Sequence, residues 1–139
     1  MPPALIVEDD HDIRETLCLL LEEAGYRPVW EVADGLSAVA ALRRHLRPMV
    51  VLLDLNLPRL GGAALLRRIA AHPRLAARHA YVLVTANYAT LASNVVSLLT
   101  ALHIPVVGKP FDIDEFLRVV AQVAKRLPPA APRAPSRTP

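Results

Sequence analysis

The chain has 139 residues, of which 53% are hydrophobic, and this size suits one compact domain without room for a second. Its formal net charge is +3, but residues 1–127 carry 14 basic and 13 acidic side chains, a balance that argues against direct nucleic-acid binding. There is no basic leader, and no apolar run approaches the roughly twenty residues of a membrane span, so we predict a cytoplasmic protein without membrane insertion.

Five short segments have the composition of buried strands. Four are largely continuous apolar runs, and the segment Val29–Val32 is weaker because it includes Glu31. Strands that are apolar on both faces are typical of a parallel sheet covered by helices on each side. The predicted strands are Ala4–Val7, Val29–Val32, Met49–Leu53, Tyr81–Val84 and Ile104–Val107.

Helical patterns alternate with these strands. Asp10 or Asp12 can cap the first helix, Asp112 can cap the last, and Pro73 ends the third. Apolar residues at helical spacing set the approximate extents. The predicted helices are Ile13–Ala24, Asp34–Leu46, Gly62–His72, Thr90–Leu102 and Asp112–Val123.

The alternation of five strands with five helices predicts an α/β fold with an open, doubly wound parallel sheet. Leu46 in the second helix and Ile113 in the last are expected on the inner, apolar faces. We predict a domain over residues 1–127. The Pro-rich segment 128–139 lacks the residues to build a core and is predicted to be a disordered tail.

Polar residues follow four of the predicted strands. Glu8-Asp9-Asp10 follows the first, Asp54 the third, Thr85 the fourth, and Lys109 the fifth. The carboxyl ends of parallel strands lie at one edge of a sheet, so these groups should meet there. Acids packed together repel one another unless a cation lies between them, and carboxylate oxygens suit magnesium.

Four motifs at these positions resemble the receiver domain of two-component response regulators. They are LIVEDD (5–10), VLLDLNLP (51–58), VTA (84–86) and GKPF (108–111), and the resemblance extends over residues 4–127. It implies a flavodoxin-like, receiver-type sheet. By the same resemblance, Asp10 occupies a less constrained position, where we expect it to cap a helix.

The resemblance also implies a role for each site residue. Asp54 is the phosphoacceptor, and Thr85 and Lys109 contact the phosphoryl group. The magnesium ligands implied are Glu8, Asp9, Asp54 and the backbone carbonyl of Asn56. From the residues alone, an aspartate can attack phosphorus where metal and ammonium neutralise the transferred charge.

The function expected is that of a single-domain response regulator. It accepts a phosphoryl group from a histidine kinase or phosphotransfer protein, and it signals to a downstream protein target through a changed contact. It is not expected to be an enzyme beyond magnesium-dependent self-phosphorylation from a phosphodonor and slow self-dephosphorylation.

Two alternatives remain at this stage. A receiver-like interaction module that works without phosphate is favoured by Val106, because receivers often have Tyr or Phe there. An aspartate-nucleophile phosphatase is disfavoured by Asn56, because such enzymes place a second aspartate two residues after the nucleophile.

No Asp, Glu, Lys or Arg occurs between His79 and Gly108, so the helix predicted there has an uncharged outer face. Ala89, Ala92 and Val96 lie on that face, away from the predicted core stripe. Exposed apolar surface often marks an interface. We therefore hypothesise a homodimer or a partner helix at the 90–102 region.

Overall fold

The computed structural model describes residues 1–129 and contains a five-stranded parallel sheet in the order β2-β1-β3-β4-β5. Three central strands are buried along their whole length because helices cover both faces of the sheet. The strands are β1 Ala4–Val7, β2 Val29–Val32, β3 Val50–Leu53, β4 Ala80–Thr85 and β5 Val106–Gly108.

In the described part of the chain, six α-helices and one short 3-10 helix connect and follow the strands. The α-helices are α1 His11–Glu23, α2 Gly35–Arg44, α3 Gly62–Ala70, α4 Pro73–Arg78, α5 Ser93–Ala101 and α6 Ile113–Ala124. The 3-10 helix is Tyr88–Thr90. Within the described residues, no helix has the length and apolar character needed to cross a bilayer.

Alternate residues of each strand enter one of two hydrophobic clusters. In β1, Leu5 and Val7 pack with residues of α2, α3, α4 and α5, whereas Ala4 and Ile6 pack with residues of α1 and α6. The period of two along a strand separates the two clusters. The predicted doubly wound α/β fold is confirmed.

The predicted number of helices, five, was wrong because Pro73 both ends one helix and begins another. Proline is favoured at the first position of a helix, where its missing N–H is not needed. It begins α4 in this way. Leu75 of α4 is buried, and its carbonyl accepts a hydrogen bond of 2.8 Å from the hydroxyl of Tyr81 in β4.

Two residues expected on inner faces are exposed. Helix α2 ends at Arg44 because His45 takes an extended backbone conformation, and Leu46, outside the helix, is 72% exposed. Ile113 is the first residue of α6 and lies in a turn that carries Asp114 and Glu115, so it faces solvent.

Helix ends agree with the predicted caps. The Asp10 carboxylate accepts from the Ile13 N–H at 3.0 Å, and Asp112 caps α6 in the same way. Helix α5 starts at Ser93, later than predicted, because the 3-10 helix takes up the preceding residues. The predicted tail lies outside the described residues, apart from Pro128 and Pro129.

Candidate functional site

The parallel register brings the candidate residues together at the carboxyl edge of the sheet. Val7 at the end of β1 lies opposite Leu53 of β3, so the next residues, Glu8 and Asp54, are neighbours. The Asp54 N–H donates to the Val7 carbonyl at 3.2 Å. Both acids are therefore fixed by backbone that belongs to buried strands.

Lys109 joins these two acids. Its ammonium nitrogen lies 2.5 Å from Glu8 Oε1 and 3.0 Å from Asp54 Oδ2. Glu8 is only 2% exposed and Asp54 only 5% exposed, so both carboxylates are largely removed from water and depend on hydrogen-bonding partners in the protein. The lysine that follows β5 is one such partner.

Burial and charge act against each other on these groups. Burial raises the pKa of Glu8, although the hydrogen bond from Lys109 opposes this shift. For Lys109, burial alone would lower the pKa, but hydrogen bonds to Glu8 and Asp54 outweigh it, and the pKa is raised. Lys109 is therefore positively charged and firmly held between two acids.

Asp9 completes a group of three carboxylates. Oxygens of Glu8, Asp9 and Asp54 lie within 4.8 Å of one another, whereas, among residues 1–129, one ammonium group, that of Lys109, bonds to these carboxylates. Asp9 is exposed, which leaves room for water ligands on that side. Such an oxygen donor set, partly open to water, fits magnesium.

The neighbouring Asp10 and Asn56 are placed differently. Asp10 directs its carboxylate to the start of α1, and its N–H lies 3.3 Å from Glu8 Oε2. Asn56 lies in the loop after β3, where its side chain is exposed and its N–H is 3.4 Å from Asp54 Oδ1. Asp10 is thus a capping residue, and Asn56 is adjacent to the acid group.

Thr85 is completely buried at the end of β4. Its carbonyl accepts from the Lys109 N–H at 2.9 Å, and its hydroxyl oxygen accepts from the Asn87 N–H at 3.3 Å. Thr85 therefore links the strand beside the acids with both Lys109 and the loop that precedes α5.

Two residues outside the predicted set shape the site. A methyl group on Gly62 would lie 2.3 Å from the Asp54 carbonyl oxygen, so α3 approaches the end of β3 as closely as it does only because this residue is glycine. The ring of Tyr88 lies directly against Gly108, where a methyl group would be 2.4 Å from Tyr88 Cδ1. The sequence signals were a Gly-Gly pair before a helix and an aromatic residue three positions after Thr85.

Comparison with known proteins identifies a family with these features. Residues 4–121 match the family model described as the response regulator receiver domain. The chain is 32% identical over 115 residues to sporulation initiation phosphotransferase F of Bacillus subtilis, a match covering 80% of this chain and 84% of that protein. It is 31% identical over 134 residues to the DNA-binding dual master transcriptional regulator RpaA of Synechocystis sp., a match covering 94% of this chain and 54% of that regulator.

A solved structure with the same fold is the receiver domain of a sensor histidine kinase from Pseudomonas aeruginosa. The TM-score is 0.71 at 28% identity, with 88% of this chain and 97% of that chain covered, and that structure has a magnesium ion coordinated in its active-site cleft.

Several curated relatives are longer proteins, of which this chain spans about half the length or less. The matches to two regulators named CseB, from two Streptomyces species, and to RpaA cover 27% to 54% of those proteins. The family model, in contrast, covers most of this chain, and its match begins with β1 and extends into α6. The chain belongs to the response regulator receiver domain family.

Proposed function

We propose that the chain accepts a phosphoryl group on Asp54 from a histidine kinase or phosphotransfer protein, and that the phosphorylated form signals through a changed protein contact. The observation that carries this proposal is the placement of Asp54. It lies next to two further carboxylates and within hydrogen-bond distance of a single ammonium group.

The transfer is a substitution at phosphorus. A carboxylate oxygen of Asp54 forms a bond to phosphorus while the phosphorus–nitrogen bond to the donor imidazole breaks. The imidazole leaves with the bonding electron pair and takes a proton from water. Oδ2 is held by a hydrogen bond of 3.0 Å from Lys109, whereas Oδ1 makes a weaker contact of 3.4 Å with the Asn56 N–H. Oδ1 is therefore the oxygen that is freer to attack phosphorus.

The surrounding residues compensate the charge that moves onto Asp54. Lys109 provides a fixed positive charge for the transferred oxygens. When bound, magnesium would supply further positive charge at the phosphoryl oxygens. The residues that would hold it are Glu8, Asp9, Asp54 and the backbone carbonyl of Asn56.

Thr85 is the proposed link between phosphorylation and shape. A phosphoryl oxygen on Asp54 accepts a hydrogen bond from the Thr85 hydroxyl, and the side-chain rotation that brings the hydroxyl to the phosphate moves its oxygen away from the Asn87 N–H. Release of Asn87 frees the 3-10 helix that holds Tyr88 against Gly108. In this proposal Tyr88 reports the switch, because Val106 is too small to do so.

The proposed signalling unit is residues 1–127, because Leu127 is the last described residue that packs against the core. It acts without turnover of an external substrate. The alternative, a module independent of phosphate, is supported by Val106, which is half-buried in β5.

Phosphorylation is tested by incubating the protein with acetyl phosphate and magnesium and measuring its intact mass. We expect the mass to increase by one phosphoryl group, and we expect Asp54→Asn or removal of magnesium with a chelator to prevent the increase. Asp10→Asn is the matched control, because it removes a nearby carboxylate yet keeps a side chain that caps α1.

The proposal fails if the wild type takes up no phosphoryl group under these conditions. It also fails if Asp54→Asn is phosphorylated as fast as the wild type. The wild type and Asp54→Asn can also be compared for binding to a protein partner, each with phosphodonor present. Equal affinities would favour the module that does not need phosphate.

A further inference from the structure

The near-zero charge of residues 1–127 conceals a separation of positive from negative side chains. Between Gly35 and Gly108 the chain has eight arginines and a single acidic residue, the buried Asp54. Arg43 and Arg44 lie in the last turn of α2, and Arg67 and Arg68 lie in the last turn of α3. The neighbouring ends of these two helices therefore form a basic surface.

Within residues 1–129, the four arginines of these two helix ends form no ion pair with an acidic side chain. Among residues 1–129, the ion pairs are formed by Arg14, Arg59 and Lys109, and the His11 ring lies 3.6 Å from a Glu15 carboxylate oxygen. A positive charge in the last turn of a helix is stabilised by the helix dipole. That effect accounts for arginines in these turns, but it does not account for the lack of any exposed carboxylate beside them.

An apolar groove of about 220 Å³ lies in the middle of this surface, between α2, α3 and α4. Its floor is aliphatic and its rim is basic. The floor includes Val39, Leu65 and Ile69, and the rim includes Arg43, Arg68 and His72. The α2–α3 groove thus offers a pocket for an apolar side chain, with a guanidinium group on each of two adjacent helices.

The groove is far from the acid group that contains Asp54. In a doubly wound sheet each helix runs opposite to the strands. The last turn of a helix therefore lies at the edge of the sheet opposite to the carboxyl ends of the strands. Arg43 and Arg68 lie in such last turns. A partner can therefore occupy the groove without covering Asp54.

We propose that the α2–α3 groove is a docking site for an acidic amphipathic helix of a partner protein. An apolar side chain of that helix fills the groove, and its carboxylates pair with Arg43 and Arg68, whose planar guanidinium groups suit bidentate pairing with carboxylates. The proposal goes beyond phosphorylation of Asp54 and does not depend on it.

Two other occupants fit less well. Nucleic acid would pair with the arginines, but the residues lining the groove include no Phe, Tyr or Trp on which a base could stack, and the aliphatic floor would remain unused. A second copy could present Leu19, which is 56% exposed on α1 near Glu15 and Glu23. That contact joins two different surfaces, so it would build rings or open chains instead of a two-fold dimer.

The test uses the full chain and a fluorescein-labelled synthetic helix of leucine and glutamate, with all leucines on one face. The control peptide has the same composition, but its leucines are spread around the helix. The third probe is a labelled single-stranded oligonucleotide of equal charge. We expect the amphipathic peptide to bind most tightly, as measured by fluorescence anisotropy.

Variants then locate the site. Arg43→Glu combined with Arg68→Glu should weaken binding of the amphipathic peptide by about tenfold or more, and Ala71→Phe, which fills the groove without changing charge, should do the same. Arg118→Glu, an exposed arginine on α6, should leave the affinity unchanged. Circular dichroism checks that each variant is folded.

Several results would overturn the proposal. The proposal is wrong if the amphipathic peptide does not bind, or if the control peptide or the oligonucleotide binds as tightly or more tightly. It is also wrong if Ala71→Phe leaves the affinity for the amphipathic peptide unchanged. A solution mass that increases with concentration and returns to that of one chain in Leu19→Ser would instead assign the groove to a second copy.

Discussion

Gly62 sets how closely α3 approaches the end of β3. A methyl group there would lie 2.3 Å from the Asp54 carbonyl oxygen and 2.5 Å from Leu55 Cα, and both are backbone atoms that cannot move aside alone. We expect Gly62→Ala to lower the free energy of unfolding by about 2 kcal/mol or more, as overpacking does. Urea unfolding measures this change.

Gly61 provides the control for that experiment. A methyl group on Gly61 meets no atom within 4 Å, and its φ of −64° suits any residue. Gly61→Ala should change the free energy of unfolding by less than about 1 kcal/mol. Equal losses in the two variants would show that helix capping, not contact with Asp54, explains the glycine pair.

His79 makes the stability of the protein depend on pH. The side chain is 4% exposed, and its Nδ1 accepts a hydrogen bond from the Met49 N–H at 3.2 Å, which requires the neutral ring. Burial, together with a smaller effect from the charge of Arg78, lowers the pKa of His79 to about 4. The unfolded chain therefore takes up this proton at a higher pH than the folded one.

Stability from neutral His79 is complete above pH 6.5 and is lost as the pH falls from 6.5 towards 4, by an amount on the order of 3 kcal/mol. His79→Asn keeps an acceptor for Met49 but does not titrate, so the free energy of unfolding should vary less with pH in this range. His103→Asn, which changes an exposed histidine, should retain the wild-type dependence. An unchanged slope in His79→Asn contradicts this account.

At the residue scale, the sequence predicted which side chains meet but not how they bond. Strand ends placed Glu8, Asp54 and Lys109 at one edge, because parallel register follows from buried apolar runs. The position of Tyr88 against Gly108 depends on the path of a loop, and no periodic pattern encodes that path. Tyr88 was therefore missed.

Among the secondary-structure elements, the segment from β4 to α5 connects the site to the surface. The Thr85 hydroxyl holds Asn87, and the adjacent 3-10 helix places Tyr88 on β5. Phosphorylation of Asp54 should shift the NMR signals of the Tyr88 ring and of the Gly108 amide. Thr85→Val, which keeps the shape but removes the hydroxyl, should abolish these shifts while Asp54 still takes up the phosphoryl group.

Thr90→Val is the control within the same segment. The Thr90 hydroxyl lies 3.5 Å from the Asn87 carbonyl, and its side chain is exposed, so the shifts should persist in this variant. Full shifts in Thr85→Val would show that the signal reaches β5 by a route that does not use the threonine hydroxyl.

Helix boundaries show where sequence patterns lose accuracy at the element scale. The periodicity before Ser93 predicted a helix from Thr90, because leucine and alanine continue the apolar pattern upstream. A 3-10 helix lies there instead, since hydrogen bonding of Asn87 to Thr85 sets the chain direction at the end of β4. The hydrogen bond between Asn87 and Thr85 therefore outweighed the helical pattern of the local sequence.

For the molecule as a whole, the uncharged face of α5 is the expected surface for self-association. Val96 is 45% exposed, and it lines a groove of about 450 Å³ together with Leu99 and Val106. If two chains pair through this face, Val96→Glu should reduce the solution mass from two chains to one, because burying a carboxylate there is costly. Sedimentation equilibrium measures the mass.

Asn94→Glu is the matched control, since it adds the same charge to an exposed position on another side of α5. The wild-type mass should persist in that variant. A wild type that sediments as one chain at all concentrations, with or without phosphodonor, contradicts pairing through α5.

The order of the strands has a further consequence for how copies of this protein meet. The two outer strands, β2 and β5, have four and three residues, and each follows closely on a proline, Pro28 or Pro105. Edge strands as short as these give a neighbouring chain little backbone to pair with, and proline lacks the N–H that such pairing requires. Assembly by extending one sheet into the next is therefore disfavoured, and even crowded molecules should meet through their helical faces.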